Sequence, residues 1–348
     1  MVKKIKITNN VNKSTSFGYS YYGQIYTFYA NKITYMTNWL EKILSKAKQA
    51  KAKIGNAFKK IPLQNAELWN SCPECKKMFL GKQLKEDLYV CTQCDYHFRI
   101  GANERFKIFF DNEQYMTIET KKLLDDPNKF KTELKTYKDQ LKSAKKKTGQ
   151  NASLVSAYGK VNNLDIVCSS FDFNFNGGTL SLQSGQNFYE ACEFAVNNQA
   201  AALTVFITTG GAALQENLFA LYQMPKTILG VQMLKENKIP YFVVANVNIG
   251  GVSASFGSLG DFHLMEPGKK TIWGFAGKRV VQGTISEPLP EDFQSSSHVI
   301  TTGAIDMISH RKDQRDVITN LVSILLKKRQ SLQNTVADSE QKEQAVNQ

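Results

Sequence analysis

Long apolar runs are missing from this sequence, and so are several common catalytic patterns. No run of 18 apolar residues occurs, so we predict no transmembrane helix and no membrane partner. Six cysteines among 348 residues are too few to indicate a secreted disulfide scaffold. His263, His298 and His310 have no obvious nucleophile partner, and neither a GxSxG nor an HExxH pattern is present. These absences favour a reaction that needs no titrating side chain.

Residues 1–35 contain no acidic residue, so the positive charge of the chain is concentrated near its amino terminus. The formal net charge is +13, yet residues 1–60 hold twelve lysines and one glutamate, a net of +11, which leaves +2 for all other residues. The basic character therefore belongs to the amino-terminal arm. We interpret residues 1–35 as a disordered extension or the product of an upstream start codon, with Met36 as a candidate start. A transit peptide would normally contain arginine, which this arm lacks.

Four of the cysteines form two CxxC pairs. Cys72-Pro-Glu-Cys75 is followed, after fifteen residues, by Cys91-Thr-Gln-Cys94. Such a double pair is typical of a zinc ribbon, in which four thiolates complete a tetrahedron. The spacing predicts one structural zinc ion and a reducing, cytoplasmic location. The predicted ligands are Cys72, Cys75, Cys91 and Cys94.

The remaining cysteines and the nearest histidine have simpler interpretations. His97 lies three residues beyond the second pair, but four thiolates already satisfy zinc, so we interpret it as structural or surface-exposed. Cys168 and Cys192 have no partner at metal spacing. We predict that both are small core residues.

Two glycine pairs each follow a predicted buried strand. The runs Leu203–Ile207 and Tyr241–Ala245 precede Gly210-Gly211 and Gly250-Gly251 respectively, and apolar spacing predicts a helix from Leu214 to Leu229 after the first pair. Glycine permits positive φ and close approach of a ligand, while the first N–H groups of a helix lack partners. Two strand–glycine–helix units therefore predict paired crossover units that build one anion-binding site.

Main-chain N–H groups suit one kind of chemistry in particular. Where the transition state is an enolate, the protein must supply fixed donors at the oxygen that gains charge, and each such donor is worth about 2.7–4 kcal/mol. Ordinary turns nevertheless explain most glycine pairs. The pairs alone are therefore weak evidence for such a site.

The rest of the chain divides by composition. We predict strands across 153–175 with a hairpin turn at Asn162-Asn163, and helices over 103–150, 186–197 and 317–325. The expected divisions are a basic extension with an amphipathic helix (1–66), the zinc ribbon (67–102), a charged helical connector (103–152), the main core (153–329) and a disordered tail (330–348).

Several motifs, in order along the chain, resemble the β subunit of the bacterial-type acetyl-CoA carboxylase carboxyltransferase family. The resemblance runs from about residue 36 to about residue 328. The motifs are the four-cysteine ribbon preceded by Trp69, Tyr158-Gly-Lys160, Phe171-Asp-Phe173, Gly177-Gly178, Gly210-Gly-Ala212, Gln215-Glu216, Gly250-Gly-Val-Ser-Ala-Ser-Phe256, Met265-Glu-Pro267 and Gly274-Phe-Ala-Gly-Lys-Arg279.

This resemblance implies an α/β, crotonase-like core of repeated ββα units that carries an amino-terminal zinc ribbon. It also implies transfer of carboxylate from carboxybiotin, borne on a carrier protein, to acetyl-CoA to give malonyl-CoA. The implied partners are a carboxyltransferase α subunit in an α2β2 heterotetramer, the biotin carboxyl carrier protein and biotin carboxylase. Released biotin is implied to take the methyl proton, which agrees with the lack of a candidate base.

The family motifs also assign roles to individual positions. Gly211 and Ala212 are expected to offer N–H groups to the thioester oxygen, with Gly210 permitting the turn, and Gly250 and Gly251 to line the adjoining wall. The residues expected to contact the acyl-CoA substrate are Gly177, Gly178 and Arg279, the last near the CoA phosphates or at the α interface.

The chain departs from the family pattern at three places. Ala213 stands where the family has arginine, 246–249 replace Asp-Pro-Thr-Thr, and 179–181 replace Ser-Met-Gly. Main-chain donors do not depend on side-chain identity, so these changes are expected to affect turnover or CoA binding more than the fold. A catalytically weakened carboxyltransferase subunit is therefore an alternative.

Two further alternatives belong to other functional classes. The ribbon and the basic arm would suit a nucleic-acid-binding protein, because basic charge binds phosphates, but residues 72–94 carry a net charge of only +1. A crotonase-type enzyme acting on another acyl-CoA is the second alternative. The zinc ribbon argues against it, since such relatives mostly lack one.

Overall fold

The computed structural model of the protein describes residues 69–285 and 287–327. The predictions for the extension 1–66 and the tail 330–348 lie outside these residues. Within them, a two-stranded sheet stands beside the cysteines and a large mixed sheet is covered by helices. The strands are β1 (Trp69–Ser71), β2 (Met78–Leu80), β3 (Tyr115–Thr117), β4 (Leu154–Val161), β5 (Leu164–Phe171), β6 (Ala202–Thr208), β7 (Tyr241–Ile249), β8 (Phe262–Met265), β9 (Ile272–Gly274) and β10 (Met307–Ile308).

The helices alternate with the parallel strands, as expected for an α/β core. The helices are α1 (Gly81–Glu86), α2 (Ala102–Phe109), α3 (Tyr137–Thr148), α4 (Leu182–Asn197), α5 (Leu218–Leu221), α6 (Gln223–Glu236), α7 (Gly250–Ser253), α8 (Lys278–Thr284), α9 (Ser296–Val299) and α10 (314–327). Short 3-10 turns cover Asp111–Glu113, Asn176–Gly178, Leu214–Glu216, Phe256–Ser258 and Ile300–Thr302. No helix in the described part of the chain is long and apolar enough to cross a membrane.

Strand order places the two predicted glycine pairs together. The large sheet runs β10-β8-β7-β6-β5-β4-β3, with β9 also paired to β7. Strands β5, β6, β7 and β8 are parallel, whereas β3, β4 and β5 are antiparallel. Because β6 and β7 are parallel neighbours, their carboxyl ends meet at one edge of the sheet, and the segments that follow them lie side by side.

The predicted hairpin between β4 and β5 is confirmed. Val161 pairs with Leu164, and the two residues between them, Asn162 and Asn163, have φ values of 48° and 65°. Two successive left-handed residues are what a two-residue hairpin turn of type I′ requires, and asparagine tolerates that conformation better than most residues.

Apolar side chains that point alternately to the two faces of the sheet form two apolar layers, one on each face. Val205 and Val243 join the layer that contains Phe188 of α4, while Phe206 and Phe242 join the opposite layer with α2 and α10. Successive side chains of a strand point to opposite faces, so a strand buried on both sides is apolar throughout. The prediction that Cys168 and Cys192 are core residues is confirmed, since both are fully buried.

The prediction of a helix from Leu214 to Leu229 is wrong in its bounds. A single 3-10 turn, Leu214–Glu216, comes first, and the chain then breaks at Asn217, where φ is 52° and ψ is −125°. The long helix α6 begins only at Gln223. The apolar spacing of this segment does not reveal the break, which directly follows the buried Glu216.

The charged segment 103–150, predicted to be helical with a break at Pro127, has a much longer non-helical stretch, from 114 to 136. Between α2 and α3 it contributes β3, which pairs antiparallel with β4 as part of the large sheet. The intervening stretch is held to α4 by side chains, with the Lys121 N–H donating to Glu190 and the Leu123 N–H donating to Gln183. This segment therefore packs on the core instead of only connecting two domains.

Two other helix predictions need smaller adjustments. Helix α4 begins at Leu182 instead of Gln186, because the Ser181 side chain accepts the Ser184 N–H and so caps the helix four residues earlier. The predicted apolar stretch 317–325 does lie within α10.

Candidate active site

The first glycine pair forms a tight turn directly after β6. Gly211 has a φ of 92°, in the region that favours glycine. The Gly210 N–H donates to the Gly177 carbonyl at 2.8 Å, and the Gly211 N–H donates to the Thr209 hydroxyl oxygen at 3.0 Å. The turn is therefore held by hydrogen bonds to Thr209, within the turn, and to Gly177, from the segment before α4.

The second glycine pair opens α7 directly after β7. Gly250 has a φ of 65°, and its N–H donates to the carbonyl of Phe275 at 2.9 Å. Gly251 is buried and lies in the first turn of α7, where N–H groups have no intrahelical acceptor. The segment 274–279, which the sequence also indicated, thus reaches this turn through the main chain of Phe275.

The two turns touch each other. A Cβ atom built on Gly250 would lie 3.1 Å from the Gly211 Cα and 4.0 Å from the Ala212 nitrogen, and one built on Gly211 would lie 3.8 Å from the Gly251 nitrogen. A side chain at 250 would crowd Gly211, and one at 211 would have to adopt a positive φ. Glycine at 211 and 250 therefore permits the close approach of two main-chain segments.

Two N–H groups at this contact remain free. Within residues 69–285 and 287–327, neither the Ala212 N–H nor the Gly251 N–H has a hydrogen-bond acceptor. The Gly211 N–H, which was expected to face substrate, donates to the Thr209 hydroxyl oxygen in this structure. The unpartnered donors come one from each turn, at Ala212 and Gly251.

Gly177 and Gly178, predicted to contact substrate, brace the first turn from behind. Their carbonyls accept from the Gly210 N–H and from the Thr209 hydroxyl, the latter at 2.6 Å. Gly178 has a φ of 65°, and a Cβ there would lie 2.2 Å from the Thr208 carbonyl oxygen. No other residue fits at 178 without moving that strand end.

Arg279 stands apart from the glycines. It is exposed in the first turn of α8 and makes no hydrogen bond or ion pair with the part of the chain that the structure describes. Its link to the turns is indirect, through Phe275 four residues earlier. The structure thus brings the glycine turns together but gives Arg279 no contact with them.

Glu216 is a buried carboxylate close to the first turn. It is 2% exposed, and it accepts the Leu182 N–H at 2.5 Å and the Tyr137 hydroxyl at 2.8 Å. Burial raises the pKa of this carboxyl, Asp126 and Asp125 act in the same direction, and the two hydrogen bonds oppose the rise. The family motif contains Glu216, but the sequence assigned it no role.

A second buried carboxylate, Glu266, follows β8. Its carboxylate forms ion pairs with the guanidinium groups of Arg105, at 3.0 Å between nitrogen and oxygen, and of Arg311, at 2.8 Å. It also accepts a hydrogen bond from the Asn246 side-chain amide. These two cations hold the pKa of Glu266 well below its usual range against the opposing effect of burial. We call Glu266, Arg105 and Arg311 the charge cluster.

The charge cluster joins the ribbon to the core. Arg311, 2% exposed, also donates to the main-chain carbonyls of Leu88, Tyr89 and Phe98 in the ribbon, at 3.0–3.1 Å. Sequence analysis missed the cluster. The available signal was a glutamate placed directly after the apolar strand that ends at Met265.

His97 belongs to the interior of this joint. It is buried, its Nδ1 lies 3.6 Å from a Glu266 oxygen, and its ring meets His310 edge to face with centroids 4.6 Å apart. It is not among the ligand atoms that converge with the four thiols. The interpretation of His97 as a structural residue is therefore confirmed.

The four predicted metal ligands converge at one point. All four Sγ atoms lie within 4.8 Å of one another, with Cys72 and Cys94 3.7 Å apart and Cys75 and Cys91 3.5 Å apart. Four thiolates about 2.3 Å from a tetrahedral zinc ion lie at such mutual distances. The donor set therefore fits a tetrahedral metal ion.

Comparison with known proteins agrees with this architecture. Residues 111–348 match the family described as Carboxyl transferase domain. The chain is 38% identical over 310 residues to acetyl-coenzyme A carboxylase carboxyl transferase subunit beta of Pelagibacter ubique (strain HTCC1062), which covers 89% of this chain and 98% of that protein. It is 41% identical over 261 residues to the subunit of the same description from Liberibacter asiaticus (strain psy62). That match covers 75% of this chain and 90% of the relative.

Among solved structures, the fold is similar to transcarboxylase 12S in its crystal structure with hydrolysed methylmalonyl-coenzyme A bound. The TM-score is 0.51 at 19% identity, over 70% of this chain and 42% of that one. The fold, a crotonase-like α/β core with a four-cysteine ribbon, and the matches define a carboxyl-transferring transferase. More narrowly, the chain belongs to the family of acetyl-coenzyme A carboxylase carboxyl transferase beta subunits.

Proposed function

We propose that this chain is the subunit that binds acetyl-CoA during transfer of carboxylate from carboxybiotin, giving malonyl-CoA. The observation that supports this most directly is the pair of unpartnered N–H groups at Ala212 and Gly251, on two touching turns. Two fixed main-chain donors at one place suit an oxygen that becomes negative during reaction.

The proposed mechanism uses these donors at the thioester oxygen. Loss of a methyl proton turns acetyl-CoA into an enolate, and the new negative charge on the thioester oxygen is stabilised by the Ala212 and Gly251 N–H groups. The methyl carbon then bonds to the carboxyl carbon, whose bond to the biotin nitrogen is broken, and the thioester carbonyl is restored. The methyl proton lost from acetyl-CoA ends on the released biotin. Each donor is expected to lower the barrier by about 2.7–4 kcal/mol.

The remaining chemistry is assigned to a group on another protein. Carboxybiotin supplies the carboxyl carbon and, on release, the base that takes the methyl proton. This assignment agrees with the first turn, where the ionisable residue that follows in the chain, Glu216, is buried and bonded to Leu182 and Tyr137. The role of this chain is then to bind and orient the thioester.

The neighbours of Gly177, Gly178 and Arg279 suggest separate roles for these three predicted substrate contacts. Gly177 and Gly178 are proposed as supports of the first turn, because their carbonyls already accept bonds from it. Arg279 stays a prediction for the CoA phosphates or the subunit interface, since it is exposed and has no ionic partner among the described residues.

An apolar surface beside the first turn supports the need for a partner subunit. Leu214 is 86% exposed, Tyr222 66% and Leu229 63%, and Leu218 and Leu221 lie between them. Contiguous exposed apolar residues commonly mark protein interfaces. We propose that a carboxyltransferase α subunit covers this surface in an α2β2 assembly, with the biotin carrier and biotin carboxylase completing the complex.

The metal is proposed to be one structural zinc ion held by the four cysteines. Zinc forms closed tetrahedral sites with four thiolates, and such sites stabilise small domains that lack a large core. Here the ribbon core consists mainly of Phe79, Leu84 and the cysteines themselves. Cysteines that form no disulfides suit a reducing compartment, so we place the protein in the cytoplasm.

The test is reconstitution with an α subunit. The chain alone is expected to form no malonyl-CoA from acetyl-CoA and carboxybiotin, whereas the assembled complex is expected to form it. A panel of acyl-CoA substrates separates this proposal from an enzyme specific for another acyl group. A folded complex that carboxylates no acyl-CoA would show that the departures at 179–181, 213 and 246–249 have abolished catalysis.

A further inference from the structure

The loop that carries Ala212 is tied to the segment before α4 by the main chain. The Leu180 N–H donates to the Gly211 carbonyl at 2.8 Å, and the Ala213 N–H donates to the Leu180 carbonyl at 2.9 Å. Ala212 lies between these two bonds, with its own N–H unused. The position of that N–H therefore depends on how the loop sits against Leu180.

Glu216 adds a third tie at the far end of the same loop. Its carboxylate accepts the N–H of Leu182, two residues after Leu180, at 2.5 Å. Beyond Glu216 the chain turns away, since Asn217 has a φ of 52° and the exposed helix α5 follows. Within the loop, Glu216 is the last side chain that points into the protein interior and bonds there.

The acceptor is well matched to its donor. Leu182 is the first residue of α4, where N–H groups lack intrahelical acceptors and the helix dipole favours negative charge. The first turn of α4 contains no acidic residue of its own. Glu216 therefore supplies, from a different segment, the negative group that the helix end favours.

Tyr137 fixes the second oxygen of the same carboxylate. Its hydroxyl donates to Glu216 at 2.8 Å, and its side chain is 1% exposed. Tyr137 begins α3, so three segments meet at one carboxylate: the loop, the end of α4 and the start of α3. A buried carboxylate with both oxygens bonded in this way restricts the loop more than a solvent-exposed one would.

We propose that Glu216 is a positioning residue that holds the Ala212 N–H in place for the reaction, acting through Leu182 and Tyr137. It does not touch substrate in this proposal. The inference rests on the proposed function, in which the Ala212 N–H stabilises the enolate oxygen. Small displacements of a reacting group can cost as much as about a hundredfold in rate.

The test compares three variants in the assembled α–β complex. Glu216→Ala removes both hydrogen bonds, Tyr137→Phe removes one, and Glu216→Gln can keep both, because its carbonyl accepts from Leu182 and its amide donates to the Tyr137 oxygen. Glu236→Gln, at the exposed end of α6, is the matched control.

The expected result is a loss of kcat of about tenfold or more for Glu216→Ala, with KM for acetyl-CoA nearly unchanged. Tyr137→Phe should lose less, and Glu216→Gln should stay within about threefold of the parent. Equal kcat in Glu216→Ala and the parent, or Glu216→Gln as slow as Glu216→Ala, overturns the proposal. So does a loss of thermal stability with no change in kcat.

A second measurement does not depend on turnover. Amide hydrogen exchange of the peptide containing 211–213 should be faster in Glu216→Ala than in the parent and restored in Glu216→Gln. If the parent complex forms no product but this exchange pattern holds, the proposed function fails and the positioning role stands. Unchanged exchange in Glu216→Ala overturns the positioning role itself.

Discussion

Two neighbouring strands of the large sheet are followed by different kinds of functional group, uncharged amides in one case and paired charges in the other. Strand β7 passes into Gly250 and Gly251, where the functional groups are uncharged main-chain amides. Strand β8 passes into Glu266, a fully buried carboxylate between Arg105 and Arg311. In the first region, the Gly251 N–H has no acceptor among the described residues; in the second, the carboxylate and both guanidinium groups have partners.

The difference shows that the charged groups of this protein serve its architecture, while its proposed chemistry uses the backbone. A carboxylate beside a developing enolate would repel it, whereas an amide N–H stabilises it and does not titrate. Buried charges, by contrast, are tolerated when they are paired and hydrogen-bonded. Arg311 meets this condition by binding Glu266 and three ribbon carbonyls at once.

The largest expected effect is that of metal removal, which acts on the charge cluster through the ribbon. Structural zinc contributes apparent binding free energies of about 10–16 kcal/mol in small domains. Without metal, the ribbon carbonyls that Arg311 binds should lose their positions, and calorimetry should show a lower Tm for the core as well. Added zinc should restore it. An unchanged Tm after verified metal loss would contradict the coupling of ribbon and core.

The next largest effect is expected from Glu266→Gln, which leaves two buried guanidinium groups without a countercharge. We expect a loss of about 3–5 kcal/mol in the free energy of unfolding, measured by denaturant titration at neutral pH. Since the pKa of Glu266 is depressed in the folded state, its contribution is present above its ordinary pKa of 4.5 and is lost as pH falls further.

Glu266→Gln also tests whether the charge cluster serves stability alone while the glycine turns serve catalysis. The kcat of the fraction that remains folded should change by less than about threefold, because Glu266 does not contact the glycine turns. A large fall in kcat with intact stability would mean that the charge cluster takes part in the chemistry.

Ala212→Pro probes the glycine region directly. Proline removes the N–H of residue 212, which has no acceptor among the described residues, so no internal hydrogen bond is lost. We expect kcat of the assembled complex to fall by about 10²–10³, and a thermal melt checks that the variant is folded. Ala212→Gly keeps the N–H and is the control. Full activity in the proline variant would exclude Ala212 as a donor.

The smallest effect is the pH dependence of Glu216→Gln stability. The pKa of Glu216 is raised in the folded state, chiefly by burial, so its contribution to stability is fully present below its ordinary pKa of 4.5 and is lost as pH rises through the raised value. Glutamine has no such ionisation. The Tm of Glu216→Gln relative to the parent should therefore increase as the pH rises above 4.5 and through the raised pKa of Glu216. A flat difference would contradict the raised pKa.

Local patterns in the sequence were enough to predict much of the architecture. The CxxC pairs indicated the four ligands that converge in the ribbon, Asn162-Asn163 indicated the hairpin, and two apolar strands before glycine pairs indicated parallel neighbours. These features depend on residues close together in the chain. The sequence pattern missed the strand β3, because it depends on a distant partner, β4. It also missed the break at Asn217, where φ is 52°.

The sequence by itself therefore determined the family, the ribbon ligands and the presence of two glycine turns. Only the tertiary structure decided which N–H groups are free, since Gly210, Gly211 and Gly250 each donate to an acceptor from another part of the fold or its turn. It also decided that Glu216 and Glu266 are buried and bonded. Hydrogen-bond partners far apart in the chain leave no periodic signal, so their pairing emerges only when the sheet brings its strand ends together.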